Sequence, residues 1–241
     1  MDMKIAGSGS IAPGEYRDIH LSGSAKLSGH IICQSLHASG AAKGESIECE
    51  NDFKASGSCK FDGDIKAGSI SASGAFSCGS AEVRDAIRCS GSSSFGGDIR
   101  CTELKSAGVI RCAGNIEAET LKASGVINCG GLMNAESIDI RFCRDMTIGS
   151  IGGSNIYIRY ENTNTDLFRR LLSYIKGSPV TAKVTVNSGI EGDTIDIEYT
   201  SAGQVSGRNV KIGSGCEIDS VQYSESIEIA DNALVGKVEK I

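Results

Sequence analysis

The chain has no Trp, two Pro among 241 residues, and an aromatic content of only 5%. A core without large rings must be filled by small and branched side chains. So little Pro argues against a loop-rich or disordered chain. No run of about 18 apolar residues occurs, which excludes a membrane-spanning helix of ordinary length. The opening MDMKIAGSGS holds no apolar stretch of signal-peptide length, so the expected compartment is the cytoplasm, where thiols stay reduced. The ten cysteines contain no CxxC pair, which removes the strongest zinc signature. No sign of charge dominates either. Against 24 Lys and Arg stand 30 Asp and Glu, a net charge of -6 that suits nucleic acid poorly as a partner.

What the chain has in excess is glycine, 31 residues of it, and the glycines are periodic. Gly23, Gly40, Gly57, Gly74, Gly91, Gly108 and Gly125 each follow a Ser or Ala and recur at every seventeenth position without a slip. Apolar columns keep fixed offsets from them. Two and four positions on come pairs such as Cys59 with Phe61 and Ile110 with Cys112; thirteen and fifteen on come Phe53 with Ala55 and Ile70 with Ala72. A middle pair falls at eight and ten, as in Ile31 with Cys33 and Ile99 with Cys101. In two repeats it shifts by one position, to Ile47 with Cys49 and Ala81 with Val83. Since the repeat length holds, the adjoining turns must absorb the slip, which would otherwise reverse the strand's faces.

Each repeat thus carries three short segments of period 2, the signature of strands. Three strands and three sharp corners make one coil, and stacked coils form a solenoid with parallel walls. Residues 6–158 hold about nine such coils. A second Gly/Ser column, from Gly29 to Gly131, marks another corner, where glycine can supply positive φ. The expected organisation is a parallel β-helix over 1–160, an amphipathic helix over 161–178, and further coils or a packed sheet over 179–241. The helix expectation rests on Leu167, Phe168, Leu171, Leu172 and Ile175 along one face, with Thr165 as N-cap and Gly177 past the end. In the tail, Val184 with Val186, Ile195 with Ile197, Val210 with Ile212 and Ile227 with Ile229 restate the inward pairs.

Eight cysteines occupy inward columns, where a thiol packs as a small hydrophobe. Cys143 and Cys216 fall outside the columns. His20 and His37 point outward, and no Ser-His-Asp set or phosphate loop can be assembled. No catalytic, cofactor or metal residue is therefore assigned, and no small-molecule substrate is expected. One surface feature is less bland. Lys54, Arg88, Lys105 and Lys122 share an outward column and form a candidate docking stripe for a membrane surface or a protein partner. Asp52 and Glu103 in a neighbouring column offset part of its charge.

The seventeen-position coil with its small-residue/Gly corners, together with IEGDTIDIEYT at 190–200 and VKIGSGCEID at 210–219, resembles the bactofilins, bacterial polymer-forming cytoskeletal proteins. The resemblance implies a right-handed parallel β-helix, and end-to-end self-assembly without nucleotide or cofactor. It implies a scaffold, not an enzyme, serving cell shape, motility or wall machinery, with itself and other scaffold subunits as partners. The alternative is a β-helix enzyme. An acyltransferase would show slightly longer coils, each built of three hexapeptides, and a cleft histidine. A polysaccharide-acting enzyme would show loop insertions around an acidic groove.

Overall fold

The structure is a computed structural model and describes residues 1–161 and 182–241. It is an all-β solenoid in which the strands pair in parallel. One ladder runs its whole length: Met3, Ile19, Leu36, Phe53, Ile70, Ile87, Leu104, Leu121, Ile138, Ile156, Ile195, Val210 and Ile227 are successive register partners. Those thirteen rungs at a strand spacing of ~4.8 Å make a rod roughly 58 Å long.

The inward columns read from the sequence are the core. Short strands such as Ser24–Leu27 and Ser58–Phe61 bury every second residue. The residues thirteen after each glycine, Leu36 through Ile138, are all completely buried. Interior volume is shared between neighbouring rungs. Phe53, Phe61, Phe76 and Phe95 stack along the axis with ring centroids 5.6 to 5.7 Å apart. Gly44 interrupts its apolar column because a Cβ there would stand 2.7 Å from Cε1 of Phe61. Here a missing side chain makes room for a large one on the next coil.

The one-position slip of the middle strand is absorbed as the repeat length requires. Ile31 pairs with Ile47, Ile47 with Ile65, Ile65 with Ala81 and Ala81 with Ile99. Those steps are alternately one position shorter and one position longer than the constant step of the Leu36–Phe53–Ile70 column. Register irregularities between Cys33 and Leu36, and between Cys49 and Asp52, take up the difference. Ile47, Cys49, Ala81 and Val83 all remain buried, so no face is reversed.

The second corner column, where glycine can supply positive φ, shows it at Gly29 but not at Gly63, Gly97, Gly114 or Gly131. Among the described residues, positive φ occurs at Gly14, Gly29, Gly215 and the non-glycine Tyr199 only. The seven periodic glycines are needed for close approach instead. A Cβ on Gly74 would overlap the carbonyl oxygen of Gly57, and Gly40, Gly57, Gly91, Gly108 and Gly125 each stand over the preceding glycine's carbonyl in the same way. Gly23 stands over Gly7. That oxygen is in use: Gly57 accepts the Ala75 N–H at 3.1 Å, and Gly91 accepts the Val109 N–H at 2.9 Å. Hydrogen-bonded stacking of corner on corner leaves no room for a side chain.

After residue 161 the rod resumes in the same stack. Met146 pairs with Val184, Ile151 with Ile190 and Ile156 with Ile195. Ile156 and Ile195 lie twenty-two positions further apart in the chain than Leu121 and Ile138 do, so an insertion of that length stands at one corner. The amphipathic helix expected at 161–178 falls almost wholly in residues 162–181, outside the described residues. The flanks are tied across the insertion. Arg159 donates two hydrogen bonds to Asp196, at 2.8 and 2.6 Å, and the Lys183 N–H donates to Asp145 Oδ1 at 2.9 Å. The short interval from Val184 to Ile195 in the tail is not a coil. The two residues belong to different walls, Val184 pairing with Thr200 and Ile195 with Val210. Ile229, expected inward, is 41% exposed; among the described residues it has a register partner on one side only, Ile212.

Candidate functional site

The outward column carrying the stripe is built by the same ladder as the core. His20, His37, Lys54, Ser71, Arg88, Lys105, Lys122 and Asp139 are consecutive register partners. The predicted stripe residues are therefore brought together in one line. Beside them the chain turns through Ser56, Ser73, Ser90, Ala107 and Ser124, whose small side chains leave a shallow groove of about 750 Å³ along the corner. Lys54, Arg88, Lys105 and Lys122 form its wall, with Asp139 and Arg141 at one end. A smaller hollow of about 210 Å³, lined by His20, His37 and Lys54, continues toward the N-terminal end. The basic residues Lys26, Lys43 and Lys60 align with one another on another wall and do not enter the groove.

The groove's charges are partly neutralised from within the rod. Glu103 reaches Arg88 at 3.1 Å and Lys105 at 2.6 Å, bridging two rungs with one carboxylate. Hydrogen bonding and charge from Lys105 hold Glu103 below the usual carboxylate range, with Arg88 adding to the effect. Asp52 meets Lys54 at 3.2 Å and accepts the Ser69 hydroxyl at 2.8 Å. The Ser69 hydrogen bond, then Lys54, lowers the Asp52 carboxyl. Burial, Lys54 and His20 lower the His37 imidazole, so it favours the neutral form. His20 and His37 stack edge to face at 5.2 Å.

The thiols behave as packing. Nearly all are buried, and several donate to corner carbonyls, as Cys112 does to Gly97 at 3.2 Å. Burial pushes Cys78 and Cys101 up to about 12 and Cys59 up to about 11. The hydrogen bond with Cys49, then burial, pushes Cys33 up as well. Cys216, expected outside the columns, is completely buried and donates to the Ile197 carbonyl at 3.4 Å. Cys143 is half-buried. Among the described residues no group of three or more His, Cys, Asp or Glu is placed to hold a metal ion. No helix among them is long and apolar enough to cross a membrane.

The rod's ends are the second notable feature, and sequence reasoning does not locate their residues. At the start, Met3–Ile5 and Ser8–Ile11 pair on one side only among the described residues. At the finish, Leu234–Lys240 pairs, among the described residues, with the preceding strand Glu217–Ile229 alone, and the 226–229 stretch of that strand is paired on one side. Of the seven exposed large apolar side chains among the described residues, Met1, Ile229, Leu234, Val238 and Ile241 belong to these end coils.

Together the ladder, the corners and the free ends define the chain as a parallel β-solenoid. No protein-family model, curated protein or solved structure matches it.

Proposed function

We propose that this solenoid is a cytoplasmic scaffold subunit of bactofilin type, a right-handed coil that assembles end to end without nucleotide. The observation that carries the proposal is the C-terminal coil, where a strand edge unpaired among the described residues coincides with four exposed large apolar side chains. A free edge offers unpaired N–H and C=O rows to another chain. Ile229, Leu234, Val238 and Ile241 are 41 to 68% exposed. Covering about half of each would return roughly 1 kcal/mol per side chain, or about 8 kcal/mol for two like ends. Association costs about 4–15 kcal/mol. Apolar contact therefore brings the ends near balance, and backbone pairing across the junction supplies the surplus. Like ends meeting give a dimer, and use of both ends gives a filament.

Negative-stain microscopy of purified protein in nucleotide-free buffer tests this reading. Rods in multiples of roughly 58 Å are expected, from thirteen rungs at strand spacing. A uniform population of single rods across salt conditions counts against it.

A further inference from the structure

We propose that the corner groove holds an extended acidic segment of a partner protein, running along the rod axis with its alternate carboxylates facing the basic wall. This does not depend on end-to-end assembly. The chain itself shows the contact: Glu103 places one carboxylate between Arg88 and Lys105, on consecutive rungs. On the next rung the equivalent position is Thr120, so Lys105 and Lys122 face the groove with no such acid between them. Ser71 breaks the basic run between Lys54 and Arg88 and offers a hydroxyl there. Four cations along the wall stand against Asp52 and Glu103, while Asp139 and Arg141 offset each other at the far end.

Length fits the same ligand. Four rung steps from Lys54 to Lys122 span about 19 Å, and about six residues of extended chain span about 20 Å. Side chains at i, i+2, i+4 and i+6 then all face the wall. The Ser and Ala floor admits a slim backbone. Among the described residues no exposed large apolar side chain lines the groove, so a bilayer would find charge there but no anchor.

The test uses the full chain and a fluorescent heptapeptide with Glu at its four odd positions and Ser between. Its clustered isomer, with the four Glu together, and phosphatidylglycerol vesicles serve as rivals. Anisotropy is expected to show binding of the alternating peptide at an ionic strength of about 0.02 M, weakening steeply toward about 0.3 M. The Lys105→Glu/Lys122→Glu double variant is expected to bind at least about tenfold more weakly. Its circular dichroism and its sedimentation are expected to match the unmodified chain. Equal binding by the double variant, equal binding of the clustered isomer, or vesicle binding without peptide binding would each overturn the proposal.

Discussion

Replacing Gly74 with Ala adds one methyl group, and the structure says where it goes. The new Cβ would overlap the Gly57 carbonyl oxygen, which already accepts the Ala75 N–H at 3.1 Å. Neither group can swing aside as a side chain would, so the two coils must part at that corner. Overpacking costs about 1–3 kcal/mol, and a weakened ladder bond adds about 1 kcal/mol. Stiffening the unfolded chain returns about 0.4–1 kcal/mol. The net loss is roughly 2 kcal/mol, a melting shift of about 4–8 °C for a chain of this size. Gly96 is the control. It too lies at a corner, but the nearest atom to its Cβ would be the Cys78 carbonyl oxygen at 3.7 Å. Gly96→Ala should therefore be neutral or raise the midpoint by up to about 3 °C. Gly74→Asn separates close approach from positive φ, because Asn tolerates the left-handed region but is larger than Ala. Thermal melts followed by circular dichroism should rank Gly96→Ala highest, then Gly74→Ala, then Gly74→Asn. A Gly74→Ala melt within about 1 °C of the unmodified chain would refute the stacking explanation.

Three further outcomes follow from the interior and the wall. Ile70 is completely buried between Phe53 and Ile87, so Ile70→Asp buries an unpaired charge and should yield no soluble, folded protein; a soluble variant with an unchanged spectrum would contradict the column. With its thiol near 12, Cys78 is about one part in ten thousand thiolate at pH 8. It should label with a disulfide reagent at least about a thousandfold more slowly than in denaturant. The Asp52 carboxyl is lowered by Ser69 and Lys54, so its contribution to stability is present above the unfolded carboxylate range and is lost as pH falls through the folded value. Ser69→Ala should raise the Asp52 midpoint in an NMR titration; an unmoved midpoint would rule out the hydrogen bond as its main cause.

Much of the wall pattern was legible because a stack of like coils repeats its environment. Residues such as Leu36, Phe53 and Ile70 share one position in space, so they share a column in the sequence. Even the shifted pair Ile47 and Cys49 could be placed, since a fixed repeat length forces compensation nearby. Three things were hidden. The distance from Gly74 to the Gly57 oxygen depends on the neighbouring coil, and sequence spacing alone cannot separate close approach from left-handed backbone. The tail keeps the ladder but shortens some steps by two positions, as from Ile195 to Val210, so its period blurs next to an insertion. Cys216 directly precedes Glu217, the partner of Ser201, so it follows Val184 and Thr200 in an inward column that the shortened steps concealed. The stripe was visible as a column, but the groove beside it was not, because it arises where small corner residues stack from coil to coil.

The central claim is that the C-terminal coil is an assembly surface, and one comparison tests it most directly. Sedimentation velocity of the unmodified chain is set beside Val238→Lys, which places a charge on a side chain that is 44% exposed at the free edge. The account predicts dimers or longer species for the unmodified chain in nucleotide-free buffer, and smaller species for Val238→Lys with an unchanged melting midpoint. Single rods in both samples, or the same assembly in both, would contradict it.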